Sequence, residues 1–187
     1  TLNAATGPDG RASLSSDGIN DYADASSNFD ADYGDHQTGT WLMSFKLTDT
    51  QLTNGNFEML FRAYGDSNNY IWMAKKTDNY KLESEFAAGG TTEYMTLNSV
   101  TPAVWNHFLV KYNIGGGTKS NSIWWNGSYI DGNTPNFAWD ASHHISSMYL
   151  FAAPGSPTNN EIAGNFQDLA IWKTDLSDGL CETLTRI

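Results

Sequence analysis

Residues 105–134 read WNHFLVKYNIGGGTKSNSIWWNGSYIDGNT, and this stretch decides the fold. From Trp105 to Asn113 the side chains alternate, with Phe108, Val110 and Tyr112 on one face and His107, Leu109 and Lys111 on the other. A period of two belongs to a half-buried strand. Residues 114–120 are mostly Gly, Ser, Thr and Lys, which cannot pack, so the chain must turn there and run back antiparallel from Ser122 to Trp125. Asn126-Gly127 then separates Ile123-Trp124-Trp125 from Tyr129-Ile130, and the pair suits a type I′ turn because both central residues need positive φ. The stretch therefore predicts a three-stranded meander.

The same reading extends in both directions. Thr40 to Leu47 sets Trp41, Met43, Phe45 and Leu47 against Leu42, Ser44 and Lys46, the pattern of a core strand. Residues 57–64 and 70–75 flank the loop Gly65 to Asn69, and residues 80–86 and 94–98 flank Gly89-Gly90, which predicts two more hairpins. Residues 12–15 and 19–23 read as a first strand pair about Asp17-Gly18, residues 28–39 as a loop, 147–152 as an apolar strand and 165–176 as the closing strand. A short helix follows, capped by Asp175 or Ser177 and packing through Leu180 and Leu184. So many turn-bounded strands predict an all-β, two-sheet antiparallel sandwich with a short C-terminal helix, holding Trp41, Phe45, Phe108, Val110, Tyr112 and Ile171 inside.

Composition bounds the function. With 187 residues and 40% hydrophobic content, residues 1–187 read as one globular domain. A net charge of −11 with only ten Lys and Arg argues against nucleic acid as the partner, because neutralising phosphates needs clustered cations. An acidic balance suits divalent cations instead. No apolar run is long enough to span a membrane, and a chain that begins at Thr1 reads as a processed or excised piece. Cys181, the single cysteine, reads as a small buried hydrophobe.

Three segments carry a family resemblance. Trp105 opening a strand, the polar loop, the strand ending at Asn126-Gly127 and the small strand after it resemble the centre of laminin G-like domains of the concanavalin A-like jelly-roll class. Residues 16–22, SDGINDY, resemble the "DG-x-x-D-Y" start of such domains, and residues 165–176, NFQDLAIWKTDL, resemble their closing strand. The resemblance implies a jelly roll that often holds a structural Ca²⁺. The matching ligand positions are Asp168, Gly39 and Asp17 or Asp21, with Asp168 as a plain exposed residue the alternative. A competing cation site is the acidic loop of Asp30, Asp32 and Asp35.

The glycanase branch of the class carries Glu-x-Asp-x-x-Glu, which is absent; Glu83-Ser84-Glu85 supplies only two carboxylates on one strand face. The residues around His36, His143 and His144 do not match the lyase pattern, and a Ser-His-Asp triad is not legible in a sequence because it is assembled in space. Aromatic side chains are the other candidate chemistry, since sugars stack apolar C–H faces on Trp and Tyr. Of Trp124 and Trp125 one must face outward or be covered, and Tyr70 and Trp72 share a strand face; the alternative for each is core packing. The expectation is a non-catalytic glycan-binding or adhesion module, extracellular or on a virion surface, such as a bacterial appendage, phage tail fibre or capsid decoration. Its partners would be glycan or other subunits of that assembly, as monomer or oligomer. A purely structural virion or appendage domain and a glycan hydrolase or polysaccharide lyase are the alternatives.

Overall fold

The computed structural model describes residues 3–6, 10–19, 21–26, 37–115, 119–134, 145–151 and 161–186, with only the backbone at 3–6 and 133. Its strands are β1 (Asn3–Thr6), β2 (Ala12–Asp17), β3 (Ala23–Asp24), β4 (Thr38–Lys46), β5 (Glu58–Asp66), β6 (Asn69–Lys75), β7 (Leu82–Ala88), β8 (Thr91–Leu97), β9 (Asn106–Asn113), β10 (Ser120–Trp125), β11 (Ser128–Asn133), β12 (Ser147–Leu150) and β13 (Ala163–Trp172). Two helices, α1 (Asp49–Thr53) and α2 (Asp178–Thr185), complete the described elements. The strands form a seven-stranded sheet ordered β1-β2-β13-β4-β9-β10-β11 and a six-stranded sheet ordered β3-β12-β5-β6-β7-β8. All pairings between named strands are antiparallel. The fold is the expected all-β sandwich.

The meander is present, with the turn at Asn126-Gly127. Val110 faces Ile123 and Trp125 faces Ser128, and Asn126 (φ 46°) and Gly127 (φ 80°) both adopt the positive φ that a type I′ turn requires. Asn126 is also tied down by its side chain, which accepts from the His107 amide at 2.7 Å.

Trp41, Phe45, Phe108, Val110 and Tyr112 are buried between the sheets, while Ile171 is half-buried at the margin of that core. Rings bridge the layers. Phe61 of the six-stranded sheet packs 5.5 Å from Trp41 of the other, Trp41 lies 6.3 Å from Tyr112, and Tyr112 lies 5.1 Å from Phe86 across the interface. Offset and edge contacts of this kind add to the area that the rings remove from water.

Four local expectations are corrected. Ile19 to Ala23 does not pair with β2: Gly18 (φ 77°) breaks the strand, the Asp17 carboxylate accepts from the Ile19 amide at 2.8 Å, and buried Asp21 accepts from the Asp17 amide at 3.1 Å. That turn sends the chain to the other sheet, where β3 pairs with β12. The strand expected from Tyr80 starts at Leu82, because Tyr80 has φ 58° and its hydroxyl bonds Asp49 at 2.6 Å. Helix α1 was not foreseen; Thr48 caps it through the Gln51 amide. In α2 the buried face is Cys181 and Thr185 with Leu184 packed beside them, whereas Leu180 is exposed. Its N-cap is Ser177, which makes no side-chain cap bond.

Candidate functional site

The strand alternation that places Ile71 and Met73 in the core turns Tyr70, Trp72 and Ala74 to the outer face of the six-stranded sheet. Register then builds a row across all six strands of that face. Asp24 pairs with Tyr149, Tyr149 with Arg62, Arg62 with Trp72, Trp72 with Glu85, and Glu85 with Tyr94. A parallel row sets Tyr64 against Tyr70. Neighbouring strands lie about 4.8 Å apart, so the first row is roughly 24 Å long.

Each member is held by its neighbours. Trp72 is 7% exposed and meets Phe57 edge-on at 5.4 Å, forming the floor. The Tyr70 hydroxyl donates to Glu85 Oε1 at 2.8 Å, and burial together with that bond pushes the phenol above its usual pKa range. The Arg62 guanidinium carbon lies 4.6 Å from the Tyr64 ring and 5.1 Å from the Tyr70 ring. Its Nε is buried without a hydrogen-bond partner, and burial holds the guanidinium below its usual range against the opposing pull of Tyr64, Tyr70 and Glu85. Tyr94 is 53% exposed at the far end. The row thus combines half-exposed rings, a cation that makes no ion pair with a described residue, and the carboxylates of Asp24 and Glu85.

The structure brings Tyr70 and Trp72 together as expected, but it assigns Trp124 and Trp125 to packing. Trp125 is buried between the sheets against Phe45 (5.7 Å) and Phe108 (6.5 Å). Trp124 does face outward from the seven-stranded sheet, yet it is 3% exposed because α2 covers it with Cys181 and Leu184. Lys111 sits 5.1 Å over its ring and reaches Asp178 at 2.6 Å and Asp175 at 3.1 Å, pinning the helix to the sheet.

The four calcium positions do not converge. Asp17 pairs with Ala163 at one end of β13, whereas Gly39 lies next to Thr40, which pairs with Trp172 at the other end. At about 3.3 Å per residue those ends are roughly 30 Å apart. Asp168 stands between them at a bulge, with φ 53°, and accepts from Arg11 Nη2 at 2.9 Å. These residues therefore do not form one ion site, and among the described residues no three His, Cys, Asp or Glu side chains group to hold a metal. Asp30, Asp32 and Asp35 lie outside the described residues, as do His36, His143 and His144.

Two other places in the molecule suit a ligand less well. Ser44 Oγ and His107 Nδ1 are 2.7 Å apart, a nucleophile-and-base pairing, but Ser44 is 1% exposed and offers no approach to a substrate. A recess of about 660 Å³ opens beside the Arg11–Asp168 pair, lined by Met43, Leu150, Phe151 and Phe166 together with Ser13 and Gln167. Its walls are mainly apolar and hold no aromatic row of the kind the outer face carries.

No protein-family model matches the sequence, and no curated protein matches it. Solved structures do. The chain is similar to the CBM40 of Ruminococcus gnavus IT-sialidase bound to α2,3-sialyllactose, with TM-score 0.66 and 17% identity over 81% of this chain and 84% of that one. It is similar to the SAP-like pentraxin of Limulus polyphemus, with TM-score 0.59 and 16% identity over 80% and 70% of the two chains. It also matches the NanB sialidase of Streptococcus pneumoniae, with TM-score 0.69 and 18% identity over 88% of this chain but only 26% of that one. The fold is that of the concanavalin A-like jelly rolls. At these identities the likeness shows the fold alone.

Proposed function

We propose that the chain is a non-catalytic glycan-binding module that engages sugar on the outer face of the six-stranded sheet. One observation carries the reading: Tyr64, Tyr70, Trp72 and Tyr94 share that face with Arg62 and Glu85, and a sugar needs such a mixture of ring faces and polar groups. Similarity in fold to a sialyllactose-bound CBM40 supports it. Within the jelly-roll class we read the chain as laminin G-like, on the order of its three motifs, and a bacterial or phage surface structure as its setting.

The test is a glycan panel combined with Tyr94→Ala. Tyr94 is exposed, so its removal should lower the melting temperature only slightly while weakening glycan binding severalfold. Glycan binding unaffected by Tyr94→Ala and by Tyr70→Phe would move the site off this face. Reducing-sugar release or unsaturated product on a polysaccharide panel would overturn the non-catalytic half of the reading.

A further inference from the structure

We infer that Arg62 makes this face selective for glycans that carry a single acidic sugar among neutral ones. The inference rests on the glycan reading above and names the class of ligand. Arg62 stands midway between Asp24 and Glu85 in the row and makes no ion pair with a described residue, although its Nε is buried. The Tyr64 and Tyr70 rings lie 4.6 and 5.1 Å from its guanidinium carbon, and such contacts limit the rotamer freedom lost when a ligand arrives. A fixed guanidinium offers a two-pronged donor that matches a carboxylate, and that pairing is stronger than a neutral hydrogen bond. By contrast Glu83, on the same face, is already neutralised by Lys76 at 2.8 Å.

The charges on either side define the selectivity. Asp24 lies two strands from Arg62 through Tyr149, and Glu85 lies two strands away on the other side through Trp72. Their strands are therefore each about 10 Å from the arginine strand, and Glu85 is near enough to draw on the guanidinium. Asp24 is held ionised by the hydroxyl and amide of Ser26, which depress its pKa. An acidic sugar on Arg62 would put its neighbours over Tyr149 and Trp72, which are aromatic, and the next positions against negative charge. A contiguous polyacid meets repulsion at both flanks, and the −11 charge of the chain adds to it.

The experiment titrates the intact protein with lactose, with 3′-sialyllactose and a glucuronate-terminated trisaccharide, with the methyl esters of both acids, and with colominic acid and oligoglucuronate. At least one free single-acid probe should bind about tenfold or more tightly than its ester and than lactose, and more tightly per site than the polyacid of the same sugar. Arg62→Gln should level acid and ester, and Asp24→Asn with Glu85→Gln should admit the polyacid. The ester comparison uses the wild-type protein, so it holds even if Arg62→Gln fails to fold. Equal binding of acid, ester and lactose would overturn this inference while leaving the glycan reading intact. Tighter binding of a polyacid would overturn it as well. Absence of binding by every probe would overturn the glycan reading and the inference with it.

Discussion

The Tyr70 hydroxyl closes a 2.8 Å hydrogen bond on Glu85 Oε1, across the β6–β7 pair, and Glu85 is 5% exposed. A buried carboxylate that loses a donor suffers part of its desolvation penalty. Tyr70→Phe should therefore lower stability by about 1–3 kcal/mol in denaturant unfolding, more than removal of an exposed hydroxyl would. Glu85→Gln, which keeps the shape and relieves the charge, should soften the effect of Tyr70→Phe by about 1 kcal/mol in a double-mutant cycle. Additive losses would show that the bond is absent in solution.

Trp124 contributes to stability, and its role is to anchor α2. An eight-residue helix is marginal alone, and Trp124, Leu42 and Leu109 supply the surface that α2 covers. Trp124→Ala should cost about 3–5 kcal/mol by opening a cavity under the helix. Trp124→Phe, which retains part of the packing, should leave glycan affinity within experimental error. A glycan-affinity loss in Trp124→Phe without a drop in melting temperature would return this residue to the binding site.

How much of this was legible depends on which contacts are local. Alternation in Trp41–Leu47 and Phe108–Tyr112 states which side chains face the core, and Asn126-Gly127 states the turn, since both signals are complete within a few residues. Alternation also turned Trp124 outward correctly. It carries no information about what lies above that face, because Cys181 and Leu184 arrive from the far end of the chain. The four-residue spacing of Leu180 and Leu184 left the buried arc of α2 open, and the sheet selected Cys181 and Thr185 in place of Leu180. Arg62 stands outside the carboxylate, imidazole and aromatic patterns that a sequence displays. Its available signal was the same-face spacing of Arg62 and Tyr64 on a strand whose hairpin partner begins with Tyr70.

His107 should make stability depend on mildly acidic pH. Burial depresses its pKa, Asp168 opposes this weakly, and its Nε2 is buried without a partner while Nδ1 meets Ser44. A depressed folded-state pKa means that the unfolded chain takes up the proton first. The stabilising contribution is therefore complete above the unfolded value of about 6.5 and is lost as pH falls towards the folded pKa. Unfolding free energy measured between pH 7.5 and 5.5 should decline more steeply in the wild type than in His107→Gln. Other titrating groups are common to both proteins, so parallel curves would show that His107 keeps an ordinary pKa.

Asp168 is the residue on which the calcium expectation turned, and its geometry gives that expectation a discriminating test. Its carboxylate is engaged by Arg11 at 2.9 Å, with the two side chains 31% and 66% exposed. An ion pair so open to water contributes at most about 1 kcal/mol. Asp168→Ala and Arg11→Ala should each lower stability by less than that, and the double variant should lose little more than either single one. Asp17, Asp21 and Gly39 stand too far along β13 to complete a coordination sphere with Asp168. If a chelator lowers the melting temperature, it should therefore do so equally in the wild type and in Asp168→Ala, because the ion would be held elsewhere. A chelator shift seen in the wild type and abolished by Asp168→Ala would show instead that Asp168 binds the metal and that its pairing with Arg11 is displaced when it does.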